Sequence, residues 1–385
     1  MRRRLIGLGV GAAGALALGL LAPLWIMWCP GAAAWRTHLY HTVLYDQIAR
    51  RVIRDARDTD QVAQRLAEYV YTHVWPAYDA GPYDGKPIDY LVKGIGWCDY
   101  LAKIHMRLLA TRHIPARYAM LREADEGSPH TIAEVWSKDR WGLYDVLFNI
   151  RFTDAAGAPL SLEGLSASPQ LLDAQPMMQV LRRQRPDVAK QIDELYARVF
   201  PVAVSPRRSH PATARFTVFD QLAVTYARWG GRRFVDWYQD RYLESLGWVP
   251  PAAPEARLRV ARHWHLAGRA APAREAYRQC TLQASGSSVS SEARFWLGLL
   301  QWELERDPAG ALRTFETSVA QDPTTRWLPM TWYYMGHCEE ALGHPGQAHA
   351  WYAKATSAGI IAAAPEAHRF EERTDQPARI QQARR

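Results

Sequence analysis

The stretch Leu91-Val92-Lys93-Gly94-Ile95-Gly96-Trp97-Cys98-Asp99-Tyr100 decides how this chain is read. A Gly-x-Gly turn hands over to a cysteine, after which Leu101, Ile104, His105, Leu108 and Leu109 recur at helical spacing and form one apolar face. The spacing predicts a helix from Cys98 to about His113-Ile114-Pro115. A sulfur at the first position of a helix lies at the positive end of its dipole, which favours thiolate over thiol. Small glycines beside it let a substrate backbone come close, and the N–H groups around Cys98 are available as oxyanion donors.

Downstream, Ala116 to Leu121 reads as a strand, and Arg122 to Pro129 as a polar connection. Apolar alternation returns in His130-Thr131-Ile132-Ala133-Glu134-Val135-Trp136, followed by the charged turn Lys138-Asp139-Arg140 and then Trp141 to Val146, which together predict a hairpin. His130 opens the first strand and Asp145 lies near the end of the second. Whether the two meet depends on the turn, because side chains alternate faces along a strand. Pairing Trp136 with Asp139 sets His130 opposite Asp145; pairing Ser137 with Arg140 sets them diagonal on one face. A turn with an odd number of residues separates them onto opposite faces.

A nucleophilic cysteine needs a lowered thiol pKa, a base to move the proton, and a group that orients the base. Cys98, His130 and Asp145 supply these in order. The run from Leu91 to Tyr100 with Ile114-Pro115-Ala116-Arg117 resembles the cysteine motif of transglutaminase-like domains. Ser128-Pro129-His130 with Glu134-Val135 resembles that superfamily's histidine motif, and Trp141-Gly142-Leu143-Tyr144-Asp145 its aspartate motif. The resemblance covers roughly residues 60 to 150. It implies a papain-like core in which Cys98 attacks a carbonyl, His130 moves protons and Asp145 fixes the imidazole. The sequence departs from the pattern at Thr131-Ile132, where a small residue and an aromatic are usual, so a differently shaped groove is expected. Trp75, Trp97 and Gly96 are the candidates for the oxyanion site and substrate groove.

The rest of the chain bears on where such chemistry takes place. Met1 to Arg4 carries three arginines, and Leu5 to Trp28 contains no charged residue. As a helix those 24 positions span roughly 36 Å, against a hydrocarbon core of about 30 Å. The arginines before the segment and Trp25 and Trp28 after it orient the N-terminus to the cytoplasm, with everything downstream periplasmic or extracellular. Ala32-Ala33-Ala34 offers a signal-peptide cleavage site, but the length of the apolar stretch favours an uncleaved single-pass anchor. The net charge of +8 is scattered among acids, with no zinc-finger, RNP or basic-zipper spacing, so nucleic acid is excluded as a partner and anionic lipid favoured. Of the four cysteines, Cys29 falls at the membrane edge and Cys98 in the motif. Cys280 and Cys338 remain either as a disulfide or as two separate buried thiols. No cysteine pair has zinc spacing, and no metal or cofactor is called for.

Asp187 to Phe200 and Phe216 to Leu246 read as helical pieces of a connecting region, the second with an aromatic and basic mix (Tyr226, Trp229, Arg232, Arg233) suited to a membrane surface or to packing on a neighbour. Three segments then superimpose: Arg257 to Cys280, Arg294 to Val319 and Trp332 to Ala355. Gly298, Ala311 and Phe315 in the second correspond to Gly336, Ala348 and Tyr352 in the third. The pattern resembles tetratricopeptide repeats, with connections lengthened at Ser285 to Ser291, and implies stacked helix pairs that hold a protein partner. The expected architecture is therefore α+β: a membrane anchor at 1–28, a catalytic domain at 36–150, a helical connection at 151–254, an all-α repeat domain at 255–360 and a polar tail at 361–385. The expected activity is a membrane-anchored cysteine protease or amidase acting on a peptide or protein. A crosslinking acyltransferase and a non-catalytic envelope scaffold are the alternatives.

Overall fold

The computed structural model describes residues 32–76, 86–121, 130–199, 217–245, 253–360 and 362–363. The expected anchor, Cys29, most of the polar tail and the connections at 77–85 and 122–129 lie outside the described residues. Among the described residues no helix is long and apolar enough to cross a membrane.

A helix at Ala33–Val52 (α1) is followed by Thr59–His73 (α2), which Asp58 caps by accepting from the Gln61 N–H at 2.8 Å. Trp75–Pro76 (β1) pairs in parallel with Ile95–Gly96 (β2) across the short helix Pro87–Lys93 (α3). Cys98–Ala110 (α4) comes next, with Leu101, Ile104, His105, Leu108 and Leu109 wholly buried, as the spacing predicts. Ala116–Leu121 (β3), His130–Ser137 (β4), Arg140–Asp145 (β5) and Ile150–Arg151 (β6) form one antiparallel sheet in sequence order. This is the α+β arrangement anticipated for the core. β4 is buried on both faces except at Trp136, since α4 packs against it and Glu134 reaches inward. Glu134 accepts from Arg117 Nε at 2.8 Å and from the Leu162 N–H at 2.9 Å, so one buried carboxylate ties β3 and β4 to the helix that follows.

That helix is Leu162–Ala167 (α5), followed by Pro176–Gln184 (α6), Pro186–Val199 (α7) and Val218–Ser245 (α8). α8 is broken at Gly231 (φ 67°, ψ −178°), a conformation open only to glycine. Pro254–Leu266 (α9), Ala270–Gln283 (α10), Ser288–Leu300 (α11), Pro308–Gln321 (α12), Leu328–Ala341 (α13) and Pro345–Ser357 (α14) each pack on the next. A turn of π-helix, Gln301–Glu305, follows α11. Cys280 and Cys338 are separate buried thiols, not a disulfide; burial pushes the first up to about 11 and the second to about 12.

Compactness cuts across the linear division expected from the sequence. The described residues up to Asp46 group with 217–245, and the remainder form a second unit that holds both the sheet and α9 to α14. Val43, Ala223 and Val235 make the small core of the first unit. In the second, close approach of helices rests on missing side chains: a Cβ on Gly298 would lie 2.5 Å from the Phe315 ring, and one on Gly336 2.5 Å from the Tyr352 ring. Gly336→Leu is therefore expected to overpack α13 against α14 at a cost of ~1–3 kcal/mol. A thermal melt should show a midpoint several degrees lower, and an unchanged one would mean that the helices do not meet through this glycine.

Candidate active site

Three chain ends converge on one point. Cys98 is the first residue of α4, preceded by extended Trp97 (φ −117°, ψ 174°); His130 opens β4 and Asp145 closes β5. The hairpin adopts the second of the anticipated registers, with Ser137 paired to Arg140. Lys138 and Asp139 form its two-residue turn with φ of 50° and 60°, the sense that matches the twist of the flanking strands. His130 and Asp145 are thereby diagonal on one face, and the imidazole Nε2 lies 2.7 Å from Asp145 Oδ2. Cys98 lies close enough to the same imidazole to favour its protonated form alongside Asp145. The three residues are 5%, 2% and 1% exposed.

Asp145 is held from four directions. Oδ2 accepts from His130 and from the Tyr196 hydroxyl at 2.8 Å, while Oδ1 accepts from the backbone N–H groups of Leu147 at 3.1 Å and Phe148 at 3.3 Å. A carboxylate with its lone pairs so occupied cannot swing away from the ring. The Phe148 ring, 5.6 Å from the imidazole centroid, packs beside the ring that Asp145 orients. Burial disfavours the imidazolium, but Asp145 and Cys98 outweigh it and push His130 up to about 10. Burial, with Asp145 alongside, holds the Tyr196 phenol well above its ordinary value, so it stays a donor.

Sequence reasoning missed Tyr196. It belongs to α7, in the stretch read as a connecting region, and its apolar periodicity gives no sign that the hydroxyl reaches a carboxylate 51 residues away. A second network supports the same strand end: Asp60 on α2 accepts from Tyr144 OH at 2.7 Å and from Arg151 Nε at 3.0 Å, and its other oxygen meets the second guanidinium nitrogen.

Trp75, Gly96 and Trp97 lie together where β1 and β2 pair, directly ahead of the sulfur. The glycines differ from expectation. Gly96 is buried, and a Cβ there would sit 3.0 Å from Val74; one on Gly94 would lie 2.4 Å from Trp296 and 2.8 Å from Trp327. The space a side chain would occupy at either position is taken by the protein itself. Among the described residues no group of three or more His, Cys, Asp or Glu side chains is arranged to hold a metal ion.

No curated protein and no solved structure matches the chain. The family profile of the transglutaminase-like superfamily matches residues 46–146. The residues that bring Cys98, His130 and Asp145 together thus form a transglutaminase-like superfamily domain.

Proposed function

We propose that this domain is a cysteine acyl-transfer enzyme, and that Cys98, His130 and Asp145 are its catalytic triad. The observation that carries the reading is a single buried imidazole bonded to a fully coordinated carboxylate, with the Cys98 side chain near enough to act on the same ring. In the forward step Cys98 Sγ attacks the carbonyl carbon of an amide, and the C=O electron pair moves onto oxygen. The N–H groups of Cys98 and Asp99 stand in the first turn of α4, where position leaves them no intrahelical acceptor, and they are the donors for that oxyanion. Collapse breaks the C–N bond, His130 gives its proton to the leaving amine, and a thioester remains. Water then loses a proton to His130 and adds to the thioester. Collapse of that intermediate releases the acid and returns the thiolate–imidazolium pair. Hydrolysis of a peptide or amide bond is the favoured reaction, and an amine in place of water would give a crosslink by the same steps.

The uncharged segment Leu5 to Trp28 supports a single-pass anchor with catalysis outside the cytoplasmic membrane. The Gly298–Phe315 and Gly336–Tyr352 contacts support reading α9 to α14 as tetratricopeptide-like pairs that recruit a protein partner or substrate. A peptide carrying a thiol-reactive warhead tests the catalytic assignment. Cys98 should be labelled selectively, and His130→Ala should abolish most of that labelling; equal labelling of both proteins would sink the enzyme reading in favour of a scaffold.

A further inference from the structure

Cys98 is reached through a short run of backbone that makes little core of its own. α3 ends at Lys93, Gly94 caps it in the left-handed conformation (φ 70°, ψ 14°), and Ile95 and Gly96 contribute the two residues of β2. Gly94 O accepts from the Trp75 N–H at 2.7 Å, which joins this run to β1. Two-residue strands have little stability alone, so something else must hold the segment at a fixed height beneath the sulfur.

The C-terminal helices do so. Arg262 on α9 is 1% exposed, and its guanidinium donates to Val92 O at 3.2 Å and to Leu91 O at 3.1 Å. These are carbonyls of the last turn of α3, at the negative end of its dipole, where a cation is best placed. The same guanidinium stacks 3.4 Å from the centroid of the Trp296 ring on α11. Trp296 and Trp327 in turn close over Gly94, leaving no room for a side chain. A second hold lies beside the first: in the π-turn after α11, Glu303 comes within 2.8 Å of His73 Nε2 and 3.4 Å of His265 Nε2. His73 ends α2, two residues before β1, so the same helices fix both strands of the β1–β2 pair. A regular helix would carry Glu303 elsewhere on the surface, and π-turns of this kind recur where a side chain must be re-aimed.

Resting on the catalytic reading above, we infer that α9 to α13 are a working part of the active centre: Arg262, with Trp296, Trp327 and Glu303, is a positioning residue that sets the backbone from Leu91 to Cys98. A displacement of the nucleophile by about an ångström costs up to ~100-fold in rate, whereas loosening of remote helices costs nothing at the sulfur.

The test is the pH–rate profile of Cys98 alkylation by iodoacetamide in the full-length chain, read by peptide mass spectrometry and normalised to folded protein. Arg262→Met should react ~10–100-fold more slowly than wild type near neutral pH, with a displaced profile. Arg262→Lys, which keeps the charge without the fork, should recover part of the rate. Tyr352→Leu, which cuts into the buried packing of α14 outside these helices, should keep the wild-type profile despite a lower melting point, which separates positioning from general instability. A wild-type profile for Arg262→Met, while His130→Ala differs, overturns the inference and leaves the enzyme reading intact. If His130→Ala also matches wild type, the enzyme reading itself fails. Should Arg262→Met not fold, Trp327→Leu removes one wall around Gly94, and a wild-type profile there is equally fatal to the inference.

Discussion

Asp145→Asn is expected to lower the reactivity of Cys98 toward an acylating probe by ~10³–10⁴, the loss that follows when the carboxylate orienting a catalytic imidazole becomes an amide. The reason lies in the count of donors. Oδ1 faces two backbone N–H groups and Oδ2 faces an imidazole N–H and a phenol. An amide has one oxygen, so in either orientation its NH₂ is turned against donors that cannot be satisfied there. The charge is lost as well. Burial then acts on His130 with less opposition, and its pKa should fall from about 10 toward or below the ordinary 6.5. Proton NMR titration of His130 in wild type and variant measures this directly. An unshifted resonance, or probe reactivity within a few-fold of wild type, would remove Asp145 from the assignment. Tyr196→Phe takes away one of the four donors, and ~1 kcal/mol is the expected scale of its effect.

How far the site could be read from the sequence follows from how local each signal is. The helix behind Cys98 and the hairpin between His130 and Asp145 are written in periodicity, because each buries one face against the same core. The register was left open, since Lys138-Asp139 lacks the Asn-Gly signature of a turn with both φ positive, yet adopts it. Tyr196 and Arg262 were illegible for a common reason. Each places a polar group on an otherwise ordinary helical face, and its partner is decided by packing between segments 51 and 170 residues apart. Gly94 and Gly96 carried a signal that sequence could not resolve: an absent side chain states that something comes close, without saying whether it is substrate or, as here, Val74, Trp296 and Trp327. The π-turn that aims Glu303 left no mark in the apolar pattern at all.

The second large effect is on stability in acid, and it comes from histidines that take no part in the proposed chemistry. His105 on α4 donates from Nε2 to Ala63 O at 2.9 Å, and burial holds its pKa down to about 4. Burial and the neighbouring Arg262 hold His263 down to about 3. Burial also dominates at His265, which lies at about 4 despite the Glu303 carboxylate. Each is neutral when folded and takes up a proton on unfolding at any pH below about 6.5, so stability falls as pH drops from there toward the folded values. His130 has the opposite sign. Its folded pKa is raised, so its contribution is lost as pH rises from 6.5 toward about 10 and is constant below 6.5; it offers no compensation in acid. Each depressed histidine costs ~2 kcal/mol at pH 5, or ~6 kcal/mol for the three, against a whole-domain stability of about 5–15 kcal/mol. Below about pH 4.3 the Glu303 carboxylate, held well below its ordinary range chiefly by His73 and His265 against the opposing effect of burial, adds to the loss. Urea unfolding followed by circular dichroism should therefore give greatest stability near pH 6.5–7 and a steep decline by pH 5. His105→Gln, which keeps a donor for Ala63 O but does not titrate, should flatten that decline by ~2 kcal/mol. A stability curve level from pH 7 to 5, or one whose slope His105→Gln leaves untouched, would mean that these imidazoles are already protonated in the folded chain and that water reaches the junction of α4 with α2.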